Sequence, residues 1–99
     1  PTLIFDEIDT GISGEAADLT AKMLKKMSNN VQIISISHLP QIAAKATTHY
    51  FVEKSGESET TVTQLNKEER VTAIARMLSG STLSDAAIQN AQALLSEQS

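Results

Sequence analysis

The sequence predicts an α/β fold: a parallel β core with flanking helices, a β-hairpin and two C-terminal helices. Three observations carry this reading. Two short apolar runs, Leu3–Phe5 and Val31–Ser37, flank one amphipathic segment, which is the spacing of a βαβ unit. Two further strand-like runs surround Ser55-Gly56-Glu57-Ser58, a hairpin turn by its glycine and polar residues. Beyond residue 66, apolar residues recur at helical spacing.

The first strand, Leu3 to Phe5, is a continuous apolar run and reads as buried on both faces. Gly11 and Gly14 punctuate the loop that follows. A helix is expected from about Glu15 to Met27, its stripe formed by Ala16, Leu19, Met23 and Met27 with Leu24 beside it, and Asn29 and Asn30 end it. Val31 to Ser37 is β-branched and apolar, a second buried strand whose crossover should be right-handed. His38-Leu39-Pro40 opens a short helix reaching about Ala46. His49–Lys54 and Thr60–Leu65 are the hairpin strands. Asn66 with Glu69 three residues on has the form of a capping box. Val71, Ile74, Ala75 and Leu78 give the inward stripe of the next helix, which Gly80 ends. Thr82 with Asp85 starts a last helix with the stripe Ala87, Ile88, Ala91, Leu94 and Leu95. Met23, Met27 and Met77 are expected to fill the core.

With 99 residues, one small domain is expected. The core must be aliphatic, since Trp is absent and there are one Tyr and two Phe. The absence of Cys excludes a disulfide framework and a thiolate metal site. No apolar run approaches the length of a membrane span. A net charge of −4 argues against a stand-alone nucleic-acid binder.

The chemistry is concentrated at strand ends. The first apolar run stops at two acids, Asp6 and Glu7. Buried charge needs a partner, and the carboxyl end of a parallel sheet is where ligands bind in open α/β folds. This is the form of a Walker B strand, with Asp6 holding Mg²⁺ and Glu7 polarising the attacking water. The alternative is a strand running into a solvated acidic turn. His38 follows the second buried strand. If the two strands are neighbours, His38 and Glu7 share one rim, and the histidine can meet a γ-phosphate or the attacking water. On its own it reads as a turn histidine before Pro40. The polar loop of Asp9, Thr10, Gly11, Ile12, Ser13 and Gly14 either meets a second subunit across a shared nucleotide or connects strand to helix with Ser13 as the cap; local sequence favours the connection. Lys22, Lys25 and Lys26 read as a solvated helix face rather than a DNA-phosphate contact, and His49 as structural. No G-x-x-x-x-G-K-[ST] occurs in these residues, so the expectation is the C-terminal part of a larger ATPase.

The succession DEIDTGISG, VQIISISHLPQIAAKATTHYFVEK and LNKEERVTAIARMLSG resembles the C-terminal end of the RecN family of bacterial DNA repair proteins. That family is related to the structural-maintenance-of-chromosomes (SMC) proteins and to the ABC ATPases. The similarity spans essentially the whole chain. Related chromosome-maintenance ATPases carry an aspartate at the place of Ser13. The resemblance implies an ABC-type head of the P-loop NTPase class, split by a long coiled coil, with the phosphate loop, coiled coil and signature segment outside residues 1–99. By matching position it implies Asp6 as the Mg²⁺ acid, Glu7 as catalytic base and His38 as switch histidine. It places Asp9, Thr10, Gly11 and Ser13 in a nucleotide-side loop facing a partner head. It implies ATP and Mg²⁺ as cofactors of the intact protein. The implied partners are the N-terminal half of the same head, a second head across ATP, and DNA; no membrane is implied. The process it implies is recombinational repair of double-strand breaks, in the cytoplasm at the nucleoid.

By itself the chain is expected neither to bind ATP tightly nor to hydrolyse it. It is expected to self-associate through the open edge of Val31–Ser37, or else to fold His49–Leu65 over that edge. The competing reading is a non-catalytic α/β interaction module that keeps a Walker-like strand.

Overall fold

The computed structural model describes residues 1–7, 10–80 and 82–97. Eight elements follow one another: β1 (Thr2–Asp6), α1 (Gly14–Met27), β2 (Gln32–Ile36), α2 (Pro40–Lys45), β3 (Tyr50–Ser55), β4 (Glu59–Gln64), α3 (Lys67–Ser79) and α4 (Asp85–Ser96). The fold is α/β, as the sequence predicts, and each element lies within a few residues of its expected bounds. Among the described residues no helix is long and apolar enough to cross a membrane.

β1 and β2 pair in parallel, with Thr2 opposite Gln32 and Asp6 opposite Ile36. Their starts are tied by the Thr2 hydroxyl, which donates to Gln32 Oε1 at 3.0 Å, and by the Gln32 amide, which donates to the Pro1 carbonyl at 3.2 Å. Side chains alternate across the pair, so Phe5 and Ile33 share one face, and Ile4, Ile34 and Ile36 the other. The first face packs against Ala21, Leu24, Ile42 and Leu39. The second is open: Ile4 is 66% exposed and Ile36 52%. The expectation of strands buried on both faces is therefore corrected. Helices cover this sheet on one side only, so half of its branched side chains have nothing to pack against.

The stripe expected on α1 is corrected as well. Ala17, Ala21 and Leu24 are buried, whereas Leu19 and Met23 are exposed. Ala21 and Leu24 pack with Ile42 of α2, and the bulkier Leu19 and Met23 are left facing outward. Met23 is thus not core filler, while Met77 does pack against the second core cluster. That cluster joins Ala44 of α2, Ile74 and Ala75 of α3, and Ala87 and Ala91 of α4. Ile42 and Ala44 place α2 in both clusters, so this six-residue helix joins the β1–α1–β2 unit to the C-terminal helix pair.

β3 and β4 form their own antiparallel sheet, with Val52 opposite Val62 and Ser55 opposite Glu59. The hairpin does not lie over the edge of β2, and both its strands are exposed throughout. The Asn66–Glu69 capping box forms as the sequence anticipates: Asn66 Oδ1 accepts from the Glu69 amide at 2.8 Å, and Glu69 Oε1 from the Asn66 amide at 2.9 Å. The cap of α4 is Ser84, whose hydroxyl accepts from the Ala87 amide, rather than Thr82. Ser84 immediately precedes the first helical residue, which is where a side-chain oxygen reaches the free amides of the first turn.

Candidate functional site: the carboxyl rim of the parallel strands

Parallel pairing fixes which residues share the rim. With Asp6 opposite Ile36, the chain leaves β1 at Glu7 and leaves β2 at Ser37 and His38 on the same side of the sheet. The ladder runs one step past Asp6, because the Glu7 amide donates to the Ile36 carbonyl at 2.9 Å. Asp6, Glu7 and His38 are all exposed. The structure therefore satisfies the neighbouring-strand condition on which the sequence reading of His38 depends.

Local bonds shape both exits. Glu7 has φ of +54°, the one positive value at a non-glycine among the described residues. Thr10 folds back onto it: the Thr10 hydroxyl donates to the Glu7 carbonyl at 2.9 Å, and the Thr10 amide to the same oxygen at 3.4 Å. Gly11 follows with φ of +85°, and a β-carbon there would meet nothing within 4 Å, so conformation rather than space calls for glycine. Asp9 lies outside the described residues. Ser13 holds the N-cap position of α1 in extended conformation but makes no side-chain capping bond. On the other exit, Ser37 Oγ accepts from the Leu39 amide at 3.0 Å, which closes the chain around His38 just before α2 begins.

A residue that sequence reasoning missed supports this rim from behind. Arg70 Nη2 donates to the Ala43 carbonyl at 2.9 Å and to the Ala46 carbonyl at 2.8 Å, at the end of α2. The helix that starts after His38 is thereby held to α3. The available signal was spacing: Arg70 lies four residues before Ile74, on the inward side of α3. Burial holds the Arg70 guanidinium below its ordinary pKa. His49 lies in the same region, its Nδ1 buried without a partner. Its pKa is also lowered, first by burial and then by the Arg70 charge. This agrees with a structural role for His49. Lys22 pairs with Asp18 at 3.1 Å on the exposed side of α1, as a solvated helix face should.

No family model matches the chain. Individual relatives do. Over 98 residues, 96% of the chain, it is 44% identical to the DNA repair protein RecN of Haemophilus influenzae and 48% identical to that of Rickettsia conorii. RecN of Deinococcus radiodurans is 46% identical over the same length. The chain matches the C-terminal portion of RecN. It spans 18% of the length of the first two relatives and 17% of the third. Solved structures agree on the fold. A chain from work on ATP-driven dimerization and DNA-stimulated activation of SMC ATPases superposes with a TM-score of 0.70 at 22% identity, covering 83% of this chain and 50% of its own. The Smc head domain with a coiled coil and joint from Pyrococcus yayanosii gives 0.69 at 23% identity, covering 83% of this chain and 15% of its own. At these identities the likeness is one of fold: the RecN-like chain shares the fold of part of these SMC head structures.

Proposed function

We propose that this RecN-like chain is the C-terminal portion of an ABC-type ATPase head acting in recombinational repair of DNA double-strand breaks, in the cytoplasm at the nucleoid. The supporting observation is the shared rim: register and the Glu7–Ile36 bond bring both acids and the histidine to the carboxyl ends of adjacent parallel strands. In this reading Asp6 holds Mg²⁺, Glu7 takes the proton of the attacking water, and His38 meets the γ-phosphate. Thr10, Gly11 and Ser13, with Asp9, belong to the loop that faces a second head across ATP.

The residues present suit the metal. Mg²⁺ keeps several waters and takes one or two carboxylates together with phosphate oxygens, and Asp6 is an exposed acid at the strand end. A cage of several protein ligands is neither needed nor formed among the described residues. When bound, the ion neutralises charge on the transferring phosphate. Asp6 is the last residue of β1 and Glu7 follows it with φ of +54°, and this reading gives the two carboxylates different roles. The phosphate loop and its lysine belong to the N-terminal half of the same head.

The test uses the complete protein. Asp6→Ala should lose Mg²⁺-dependent ATP binding, and Glu7→Gln should keep binding and lose turnover. Full ATP turnover in both variants would favour the non-catalytic interaction module instead.

A further inference from the structure

A continuous succession of hydrogen bonds runs along α2 from the exit of β2 to α3. His38 is followed by Leu39, and both polar groups of the Leu39 backbone are engaged. Its amide donates to Ser37 Oγ at 3.0 Å, and its carbonyl accepts from the Ile42 amide at 3.2 Å and the Ala43 amide at 3.1 Å. One turn on, the Ala43 carbonyl accepts from Arg70 Nη2 at 2.9 Å, and the same nitrogen donates to the Ala46 carbonyl at 2.8 Å. Leu39, the residue bonded to His38, is thus one helical bond away from a carbonyl that Arg70 holds.

The helix between them needs an outside hold. It has six residues, its N-cap Leu39 makes no side-chain capping bond, and its C-cap Ala46 is already extended. Isolated helices shorter than about 12 residues are marginal in water. Pro40, Ile42 and Ala44 are buried, but apolar packing is non-directional and leaves such a short helix free to slide or turn by small amounts. Hydrogen bonds are directional. Those of Arg70 meet the carbonyl end of α2, which carries negative partial charge and has no partners within the helix. The arrangement has a cost: burial lowers the Arg70 pKa, and Arg70 Nε is buried with no acceptor. The two carbonyl bonds are what the buried guanidinium contributes in return.

We propose that Arg70 is a positioning residue for His38: by fixing the carbonyl end of α2 it fixes Leu39, and through it the histidine at the rim. Arg70 acts through α2 and not on the nucleotide. Its effect on turnover rests on the ATPase reading, whereas its effect on the placement of His38 does not.

The test uses the complete protein with Arg70→Gln and Arg70→Lys, each in the parent and in the His38→Ala background. Arg70→Gln should lower ATP turnover about tenfold and leave ATP affinity within about twofold, because a misplaced contact is felt mainly in the transition state. Arg70→Lys should recover part of the loss, since one ammonium nitrogen can still donate to both carbonyls. In the His38→Ala background neither variant should lower turnover further. Where His38→Ala itself lowers turnover, equal fold-losses in both backgrounds would show that Arg70 only supports the fold, and would overturn the proposal. Placement is read separately from the imidazole NMR signals of His38, assigned by their absence in His38→Ala. They should shift in Arg70→Gln and shift less in Arg70→Lys; unchanged signals overturn the proposal. If they shift while His38→Ala turns over ATP at the parent rate, the positioning stands and the ATPase role of His38 fails. Should Arg70→Gln not fold, the same comparisons with Arg70→Lys decide.

Discussion

The Glu7 amide donates to the Ile36 carbonyl at 2.9 Å, and Glu7 itself stands at φ of +54°. The bond extends the parallel ladder to the acid, and the left-handed turn directs the chain out of the sheet immediately afterwards. A side chain other than glycine costs about 1 kcal/mol in this conformation. Glu7→Gly should therefore be more stable than Glu7→Ala by about that amount, although both lack the carboxylate. Chemical denaturation of the two variants checks it, and equal stabilities would mean that the residue is not held left-handed in solution.

His38 leaves the neighbouring strand at the same rim. His38→Ala in the complete protein should lower ATP turnover more than ATP affinity, because a contact to the γ-phosphate or attacking water matters most in the transition state. Steady-state kinetics beside a binding titration measure the split. Unchanged turnover would return His38 to the role of a turn residue before Pro40.

His49 gives the chain a pH dependence of definite sign. Its pKa in the fold lies below the ordinary 6.5, from burial and then from Arg70. As pH falls below about 6.5 the unfolded chain takes up the proton and the folded chain resists it, so stability declines until the lower folded pKa is passed and then levels off. Above that window the residue contributes no slope. Denaturation midpoints between pH 7.5 and 5 should fall less steeply in His49→Gln than in the parent, and identical slopes would remove His49 as the cause.

The isolated 99-residue chain should self-associate. One face of the β1–β2 pair exposes Ile4, Ile34 and Ile36, and the hairpin forms a separate sheet instead of covering β2. Open edges and contiguous apolar faces both invite a second chain. Sedimentation velocity should show association that rises with concentration and is reduced by Ile4→Thr combined with Ile34→Thr. A strictly monomeric parent with slow amide exchange through Val31–Ser37 would contradict this.

Local signals in the sequence carried the element order, the capping box and the rim. Capping needs only Asn66 and Glu69 at fixed spacing, and the rim needs only where each apolar run ends. The illegible parts depend on partners. Periodicity on α1 favours Leu19 and Met23 because they are large, yet the face of the helix that is buried carries Ala17, Ala21 and Leu24. Apolar runs through Ile4 and Ile34 read as doubly buried, but burial requires a second covering layer, which these residues do not supply. Arg70 was missed because its partners, the carbonyls of Ala43 and Ala46, lie 27 and 24 residues away and leave no side-chain signature.

The most direct measurement is ATP binding and hydrolysis by the complete protein carrying Glu7→Gln. The amide keeps the shape of the side chain and cannot accept the proton of the attacking water. The expected result is ATP affinity within about twofold of the parent and turnover lower by about 100-fold or more. Hydrolysis at the parent rate would contradict the assignment of Glu7 as the base at this rim.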